Sequence, residues 1–262
     1  MDDQNQNYNP YGYEESAPRK KRNFAVPFAI VIAGLFVGAA IFVTQGGFQN
    51  QGAAVGSSNA DGQLHGKVPP PDQNDHILGN PNAPIVIIEY SDTECPYCKN
   101  FHDTMHMVIN EYGTAGKVAW IYRHFPIEGL HKKSPKEAEA TECAYSLGGN
   151  QSFWSYIDMI FKKTPSNDQL DLSLLPKFAE DIGLDPTAFE SCLASGKYTA
   201  QIKEAFDAAV AAGATGTPTS FILFGGQSIP VEGAQSFASI STVVKNMLAQ
   251  GQTTEAQAPK TE

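Results

Sequence analysis

Two cysteines three positions apart, Cys95 and Cys98, lie in the segment "SDTECPYCKNFH". They follow the strand-like run "PIVIIEY" and precede residues with helical spacing. Cysteines at this spacing form a redox couple, part of a metal-binding site or a structural disulfide. The choice depends on the compartment that the segment occupies and on the side chains that the fold brings near it.

Cys95 falls where the predicted strand ends and the predicted helix begins. Free backbone N–H groups and the positive end of the helix dipole stabilise a thiolate there, which lowers the thiol pKa. Because such a thiolate is a good leaving group, a Cys95–Cys98 disulfide would tend to oxidise other thiols. Pro96 suits the first helical turn, which needs no N–H from it. Cys98 faces inward one turn later and can resolve a mixed disulfide.

Glu89 interrupts the otherwise apolar strand before the cysteines. A buried carboxylate is costly unless it has a task or a partner. We interpret Glu89 as a buried carboxyl of raised pKa that exchanges a proton with Cys98. The alternative is a side chain at an exposed sheet edge. Glu94, next to Cys95, is expected at the surface, where its charge slightly opposes thiolate formation.

Thr217 and Pro218, in "GATGTPTSFILF", lie between a predicted helix that ends at Gly213 and a new strand. A proline there cannot donate to the ladder, and a cis proline would turn the chain and present backbone groups to a partner. Taken alone, Gly-Thr-Pro is an ordinary turn. Combined with a Cys-x-x-Cys motif at a strand-to-helix junction, Gly-Thr-Pro becomes a specific signal and not only a turn.

Residues 24–43 contain no charged side chain and are long enough to cross a bilayer as a helix. The cluster "RKKR" precedes them, and the positive-inside rule keeps it in the cytoplasm. We therefore predict a cytoplasmic tail over residues 1–23, a transmembrane anchor over 24–43 and an exported remainder. A cleaved secretory signal is the alternative, and it exports the same part of the chain. In an oxidising compartment, cysteines pair as disulfides.

The exported part divides into a linker at 44–74, a globular domain at 75–250 and a loose tail at 251–262. The domain begins with a β-α-β unit, whose two strands should be parallel. A helical insert follows at about 130–197. The order then becomes α-β-β-α, with a hairpin turned by Gly225 and Gly226.

These features resemble the thioredoxin superfamily, and within it the DsbA-like thiol-disulfide oxidoreductases with a helical insert. The resemblance runs from about Asp75 to Leu248 and rests on "SDTECPYCKNFH", "YRHFPIEGLH", "ECAYSLGGNQSFW" and "GTPTSFILF". It implies an α/β thioredoxin fold with a central sheet, to which residues around His76 to Leu78 can add a fifth strand. It implies no cofactor.

The resemblance also implies roles for the site residues. Cys95 is then the surface nucleophile, Cys98 the resolving cysteine and Glu89 the buried acid. Pro218 is the cis proline. Substrate contacts are implied for Pro96, Tyr97, Thr217 and Pro218. The best-known strong oxidant of this type has Pro-His between its cysteines; the hydroxyl of Tyr97 stabilises a thiolate less, so a less oxidising potential is expected.

If Cys95 pairs with Cys98, then Cys143 and Cys192 remain. Similar exported relatives carry a structural disulfide of this kind, which would tie the first helix of the insert to the fourth. In the loop-entropy model it contributes about 3 to 4 kcal/mol. Two free buried thiols are the alternative.

Histidines raise a metal hypothesis. His102 and His106 are four positions apart on the first helix and could share a face with Cys98. Zinc sites built on Cys-x-x-Cys usually add a second close Cys or His pair at a defined spacing, which is missing here, so no metal site is predicted. His124 and His131 flank "FPIEGL" and could line the rim of the active site, but placement elsewhere on the surface is expected.

The sequence therefore predicts a membrane-anchored dithiol oxidase that introduces disulfides into exported proteins. Its expected partners are exported cysteine-containing substrates, a membrane redox protein and the lipid bilayer around residues 24–43. One alternative is a disulfide reductase or isomerase; another is a metal-binding assembly factor with Cys95 and Cys98 as ligands. The 20 acidic and 12 basic residues between positions 75 and 248 argue against a nucleic-acid partner.

Overall fold

The computed structural model describes residues 68–257, with side chains from 68 to 251. The predicted cytoplasmic tail, anchor and most of the linker lie outside the described residues. Within the described part, no helix is both long enough and apolar enough to cross a membrane.

A mixed sheet of five strands forms the centre of the domain, in the order β1-β3-β2-β4-β5. The strands are β1 His76–Gly79, β2 Ile85–Ser91, β3 Val118–His124, β4 Thr219–Phe224 and β5 Gln227–Glu232. The central pair, β2 and β3, is parallel, as the β-α-β order predicts, and the other pairs are antiparallel. The fifth strand predicted around His76 is confirmed as β1.

Six α-helices surround the sheet in the described part of the chain. They are α1 Pro96–Val108, α2 Ser134–Lys163, α3 Leu175–Asp181, α4 Pro186–Ser195, α5 Thr199–Ala211 and α6 Phe237–Gln257. A π-helical turn, Ile109–Gly113, closes α1. Helix α2 bends at Gly149, whose φ of 72° favours glycine. Helix α6 continues past residue 250, where the sequence predicted a loose tail.

Side chains alternate between the two faces of the sheet, as strand geometry requires. On one face, Ile87 and Trp120 pack with residues of α1 and α6 such as Phe101 and Val244. On the other face, Ile88 packs with α5. The thioredoxin-like α/β architecture therefore encloses the start of α1, which carries the two cysteines, within packed secondary structure.

The helical insert has a core of its own, built from α2, α3 and α4 around Tyr156, Leu175 and Phe189. Cys143 of α2 and Cys192 of α4 form a disulfide inside this core, with their Cα atoms 5.9 Å apart. The pairing implied by the family resemblance is therefore present, and the alternative of two free thiols is wrong.

Candidate active site

Cys95 caps the N-terminus of α1 in an extended conformation, with Pro96 in the first turn. Its thiol is free, and only 5% of the residue is exposed, so Cys95 is more buried than the surface position that the resemblance implied. A hydrogen bond from the Cys98 thiol, aided by the Thr217 side chain and by the backbone N–H groups of Cys98 and Tyr97, outweighs burial and lowers the pKa of Cys95 to about 6. Cys95 is therefore largely a thiolate at neutral pH.

Cys98 differs from Cys95 in its depth of burial and in the direction of its pKa shift. It is fully buried and its thiol is free. Burial, together with the neighbouring Cys95 and Glu89, raises the pKa of Cys98 well above its ordinary value. The backbone N–H of Asp92 lies 3.5 Å from the Cys98 sulfur. One thiol of the pair is therefore ready to react, while the other holds its proton.

Glu89 lies in β2 and is fully buried, so the alternative of an exposed edge position is wrong. Its Oε2 accepts a hydrogen bond of 3.0 Å from the indole N–H of Trp120. Burial raises the pKa of Glu89 to about 7. A carboxyl with this pKa can both give and take a proton near neutral pH, which suits exchange with Cys98.

The segment of Thr217 and Pro218 comes directly against the cysteines. The peptide bond between the two residues is cis. The Cys95 thiol contacts the Thr217 carbonyl oxygen at 3.5 Å. Pro218 is buried, whereas Tyr97 is 65% exposed at the rim. The structure thus brings the Cys-x-x-Cys segment and the Thr217–Pro218 segment together, as predicted, although they are far apart in the chain.

Asp92 connects two segments of this site, although it is not among the residues predicted from the sequence. One carboxylate oxygen accepts from the backbone N–H of Glu94 at 2.9 Å. The other accepts from the backbone N–H of Ile127 at 2.8 Å and lies 3.0 Å from Nδ1 of His131. A polar side chain just before Cys-x-x-Cys was the available signal. Asp92 links the cysteine segment to the loop after β3.

His131 was expected at the surface, but it is buried against Asp92. Burial lowers the pKa of His131, yet the hydrogen bond and charge of Asp92 outweigh this and raise it. The negative charge of Cys95 acts in the same direction. The protonated form of His131 is therefore favoured both by Asp92 and by the reactive thiolate. The prediction failed because Asp92 supplies a buried partner.

Glu94 was also expected at the surface, and this prediction is wrong because it is fully buried. Its carboxylate accepts from the backbone N–H groups of Asp168 at 2.8 Å and Leu170 at 3.3 Å. Burial and the hydrogen bond to Glu94 raise the pKa of neighbouring Glu137 to about 9, so Glu137 is protonated and can donate. The loop after α2 therefore supplies the donors that permit Glu94 to be buried.

His124 is buried as well, which corrects the surface placement predicted for it. Its Nε2 lies 3.0 Å from Oε1 of Glu142, and the same oxygen is 2.8 Å from Nε2 of His76. The groups of side chains in the described residues that could hold a metal ion include neither Cys95 nor Cys98. Among the described residues, these groups therefore add no further ligand to Cys95 and Cys98, which the hypothesis of a metal-binding assembly factor needs.

A family model described as "Thioredoxin" matches residues 72–246. The chain belongs to the thioredoxin family. Among curated relatives, the Na(+)/H(+) antiporter NhaA 3 of Salinispora tropica is 31% identical over 170 residues, which cover 65% of this chain and 24% of that protein. This thioredoxin-family chain thus matches about a quarter of the length of that relative.

Solved structures resemble the domain more completely. Alpha-DsbA1 of Wolbachia pipientis is 26% identical with a TM-score of 0.61, over 70% of this chain and 96% of that one. DsbA2 of Pseudomonas aeruginosa is 27% identical with a TM-score of 0.56, over 67% of this chain and 95% of that one. The domain therefore has the DsbA-like thiol-disulfide oxidoreductase fold, and the likeness supports thiol-disulfide exchange in general.

Proposed function

We propose that this thioredoxin-family chain is an extracytoplasmic dithiol oxidase that introduces disulfides into exported proteins. The observation that carries the proposal is the contrast between the lowered pKa of Cys95 and the raised pKa of Cys98. Stabilising the Cys95 thiolate stabilises the reduced enzyme. Its disulfide is then more easily reduced, and so more oxidising towards substrates.

The proposed reaction is thiol-disulfide exchange in two steps. A substrate thiolate attacks the sulfur of Cys95, the Cys95–Cys98 bond breaks, and Cys98 leaves as a thiolate that Glu89 protonates. The second substrate thiolate then attacks the substrate sulfur of the mixed disulfide and releases Cys95 as a thiolate. The substrate dithiol loses two electrons and becomes a disulfide, while the enzyme gains both.

Substrate binding is assigned to the rim around Cys95. The contact of Cys95 with the Thr217 carbonyl supports this assignment, because it places a backbone acceptor beside the reactive sulfur. We propose that Thr217 pairs with the substrate main chain, and that Pro218, Pro96 and exposed Tyr97 complete the contact surface. Backbone pairing suits an enzyme with many clients, because it reads no particular side chain.

An oxidising location is supported by two independent features. The disulfide between Cys143 and Cys192 is of a kind that persists outside the cytoplasm. The apolar run at 24–43 follows a basic cluster, which predicts a single-pass anchor with its N-terminus in the cytoplasm. We propose that the domain works at the outer side of that membrane, where a membrane redox protein regenerates the Cys95–Cys98 disulfide.

Trapping the mixed disulfide tests the proposal. Full-length chain with Cys98→Ser, activated at Cys95 by a small aromatic disulfide, is mixed with a reduced two-cysteine peptide, and the covalent adduct is identified by mass spectrometry. We expect transient adduct formation at Cys95 and release of oxidised peptide. A Cys95→Ser variant is the control and should give no adduct. Absence of adduct at Cys95 in folded protein would exclude the enzyme.

A further inference from the structure

Three polar side chains converge on one point beside α1, away from the contacts described for Cys95. Nε2 of His102 and Nε2 of His106 lie 2.7 Å and 2.9 Å from the same oxygen of Asp158, Oδ1. The two imidazole nitrogens lie 3.1 Å from each other. The histidines are one turn apart on α1, and Asp158 comes from α2, so the cluster joins two separate helices.

Hydrogen bonding alone does not account for all three short distances. With Asp158 ionised, each nitrogen must carry a proton in order to donate to Oδ1. Two protonated nitrogens cannot then bond each other across 3.1 Å. If one nitrogen instead accepts from the other, its lone pair faces the carboxylate. At most two of the three contacts are therefore attractive, whereas a cation between the atoms makes all three favourable.

The distances are close to those around a transition-metal ion. Ligand atoms about 2.1 Å from a zinc ion lie roughly 3.0 Å apart at right angles and roughly 3.4 Å apart at tetrahedral angles. The separations of 3.1 Å and 2.9 Å are near the right-angle value, and the 2.7 Å separation between His102 and Asp158 must widen slightly when an ion binds. Two imidazoles and one carboxylate form a ligand set that zinc and its first-row neighbours accept, whereas calcium and magnesium prefer oxygen alone. The side chains of His106 and Asp158 are 18% and 26% exposed, so an ion can enter from solvent.

We propose that His102, His106 and Asp158 form a binding site for one divalent transition-metal ion. Sequence spacing pointed to the two histidines but joined them to Cys98. The structure replaces the thiol with Asp158, a residue from a helix distant in the chain. The site rests on these contacts and not on the function proposed for the cysteines.

The site has a direct connection to the redox centre. The ring of Trp120 packs edge-on against His102 and His106, with centroids 5.1 Å and 5.4 Å away. The same indole donates to Glu89. A bound ion would fix the positions of both imidazoles and of the ring between them and the buried acid. Metal binding should therefore alter tryptophan fluorescence, which comes from only Trp120 and Trp154.

Calorimetric titration with Zn²⁺ alone tests the site. The full-length chain is used without a histidine tag and with Cys95→Ser and Cys98→Ser, so that no active-site thiolate binds the ion. We expect one equivalent to bind and tryptophan fluorescence to change with it. Asp158→Asn and His106→Gln should each lower the affinity at least about tenfold, because each removes a ligand. Exposed Glu190→Gln, on α4, is the control for loss of one carboxylate charge and should bind as the parent does.

Each outcome is decisive. Loss of one equivalent in both ligand variants, with thermal unfolding showing that they remain folded, supports the site. No zinc binding by the parent overturns it. Undiminished binding in Asp158→Asn also overturns it and would place the ion elsewhere, such as at His76, His124 and Glu142. Because the redox cysteines are absent from the titrated protein, a failure to bind zinc does not contradict the proposed oxidase. In the same way, a failure of the oxidase test does not contradict the metal site.

Discussion

Cys95 and Cys98 lie three positions apart at the start of α1, whereas Cys143 and Cys192 lie 49 positions apart on two helices of the insert. The first pair faces backbone N–H groups, a carbonyl oxygen and a carboxyl that can hold a proton. The second pair lies in an apolar core. The surroundings and not the residue type therefore decide which sulfurs react.

The comparison also applies to stability. The Cys143–Cys192 disulfide closes a long loop and restricts the unfolded chain, so it contributes to folding. The Cys95–Cys98 loop is short, and its surroundings stabilise the reduced form instead. The Cys143–Cys192 pair should matter for stability and little for exchange, whereas the Cys95–Cys98 pair should be required for exchange and should affect stability through the Cys95 thiolate of the reduced form.

Removing each pair should give the largest contrast. Cys95→Ser should abolish peptide oxidation, because the nucleophile is lost, and its unfolding free energy should differ from that of the reduced parent by the pH-dependent contribution of the thiolate. The double variant Cys143→Ser, Cys192→Ser should lower the unfolding free energy by about 3 to 4 kcal/mol and keep exchange. Urea unfolding and single-turnover peptide oxidation measure the two effects. If folded molecules of the double variant lost exchange, the claim that the Cys143–Cys192 disulfide has only a structural role would be wrong.

Titration of the reduced site should separate its two thiols. We expect Cys95 to be alkylated by iodoacetamide with half-maximal rate near pH 6, and Cys98 to stay unmodified in the folded protein. In Cys98→Ala the midpoint should rise, because the thiol that donates to Cys95 is gone. Mass spectrometry of the alkylated peptides gives the site. A midpoint near 9 in the parent would contradict the assigned environment.

This titration has a stability counterpart. The pKa of Cys95 is lower in the folded than in the unfolded protein, so the thiolate stabilises the reduced fold fully above about pH 9. This stabilisation is lost as the pH falls towards 6. The oxidised form has no such dependence. We therefore expect the thiolate contribution to the unfolding free energy of the reduced form to decrease as the pH falls from 9 to 6. Urea unfolding of the reduced and the oxidised forms over this pH range measures it.

Glu89→Gln should show how the buried carboxyl beside the reactive pair affects stability and proton transfer. A carboxyl whose pKa rises from 4.5 to about 7 on folding costs stability as the pH rises between those values. The variant should therefore gain up to about 3 kcal/mol relative to the parent between pH 4.5 and pH 8. It should also slow Cys98 protonation during exchange. Urea unfolding at both pH values tests this, with exposed Glu128→Gln as the control.

The smallest effect is expected from His131→Gln. The imidazole and the Cys95 thiolate favour each other's charged form, so removing the imidazole should raise the thiol pKa of Cys95 by less than about one unit, because part of the stabilisation comes from the helix. The alkylation profile should move upward while unfolding changes little. No movement of the profile in this variant would limit His131 to a structural role.

Local patterns were enough to predict much of the fold. The apolar runs of β2 and β3 and the helical spacing after Pro96 predict the β-α-β unit, and Gly225 with Gly226 predict the hairpin. The cysteine motif and Thr217–Pro218 also carry strong local signals. These features depend on backbone geometry and on short-range periodicity, which are visible in a single sequence.

The incorrect predictions share a physical cause. Glu94, His124 and His131 were placed at the surface because charged side chains are rarely buried alone. Each has a partner that the sequence does not place near it: backbone N–H groups after α2, Glu142 and Asp92. Such pairings depend on tertiary packing between distant elements, as does the approach of Asp158 to α1.

The reduction potential of the Cys95–Cys98 pair tests the central claim most directly. The full-length chain is equilibrated with glutathione buffers, with Cys143 and Cys192 intact, and the oxidised fraction is measured by acid quench and alkylation. We predict a potential towards the oxidising end, near about −120 mV and somewhat lower if Tyr97 stabilises the thiolate less than a histidine does. A value near about −270 mV would contradict the oxidase and indicate a reductase.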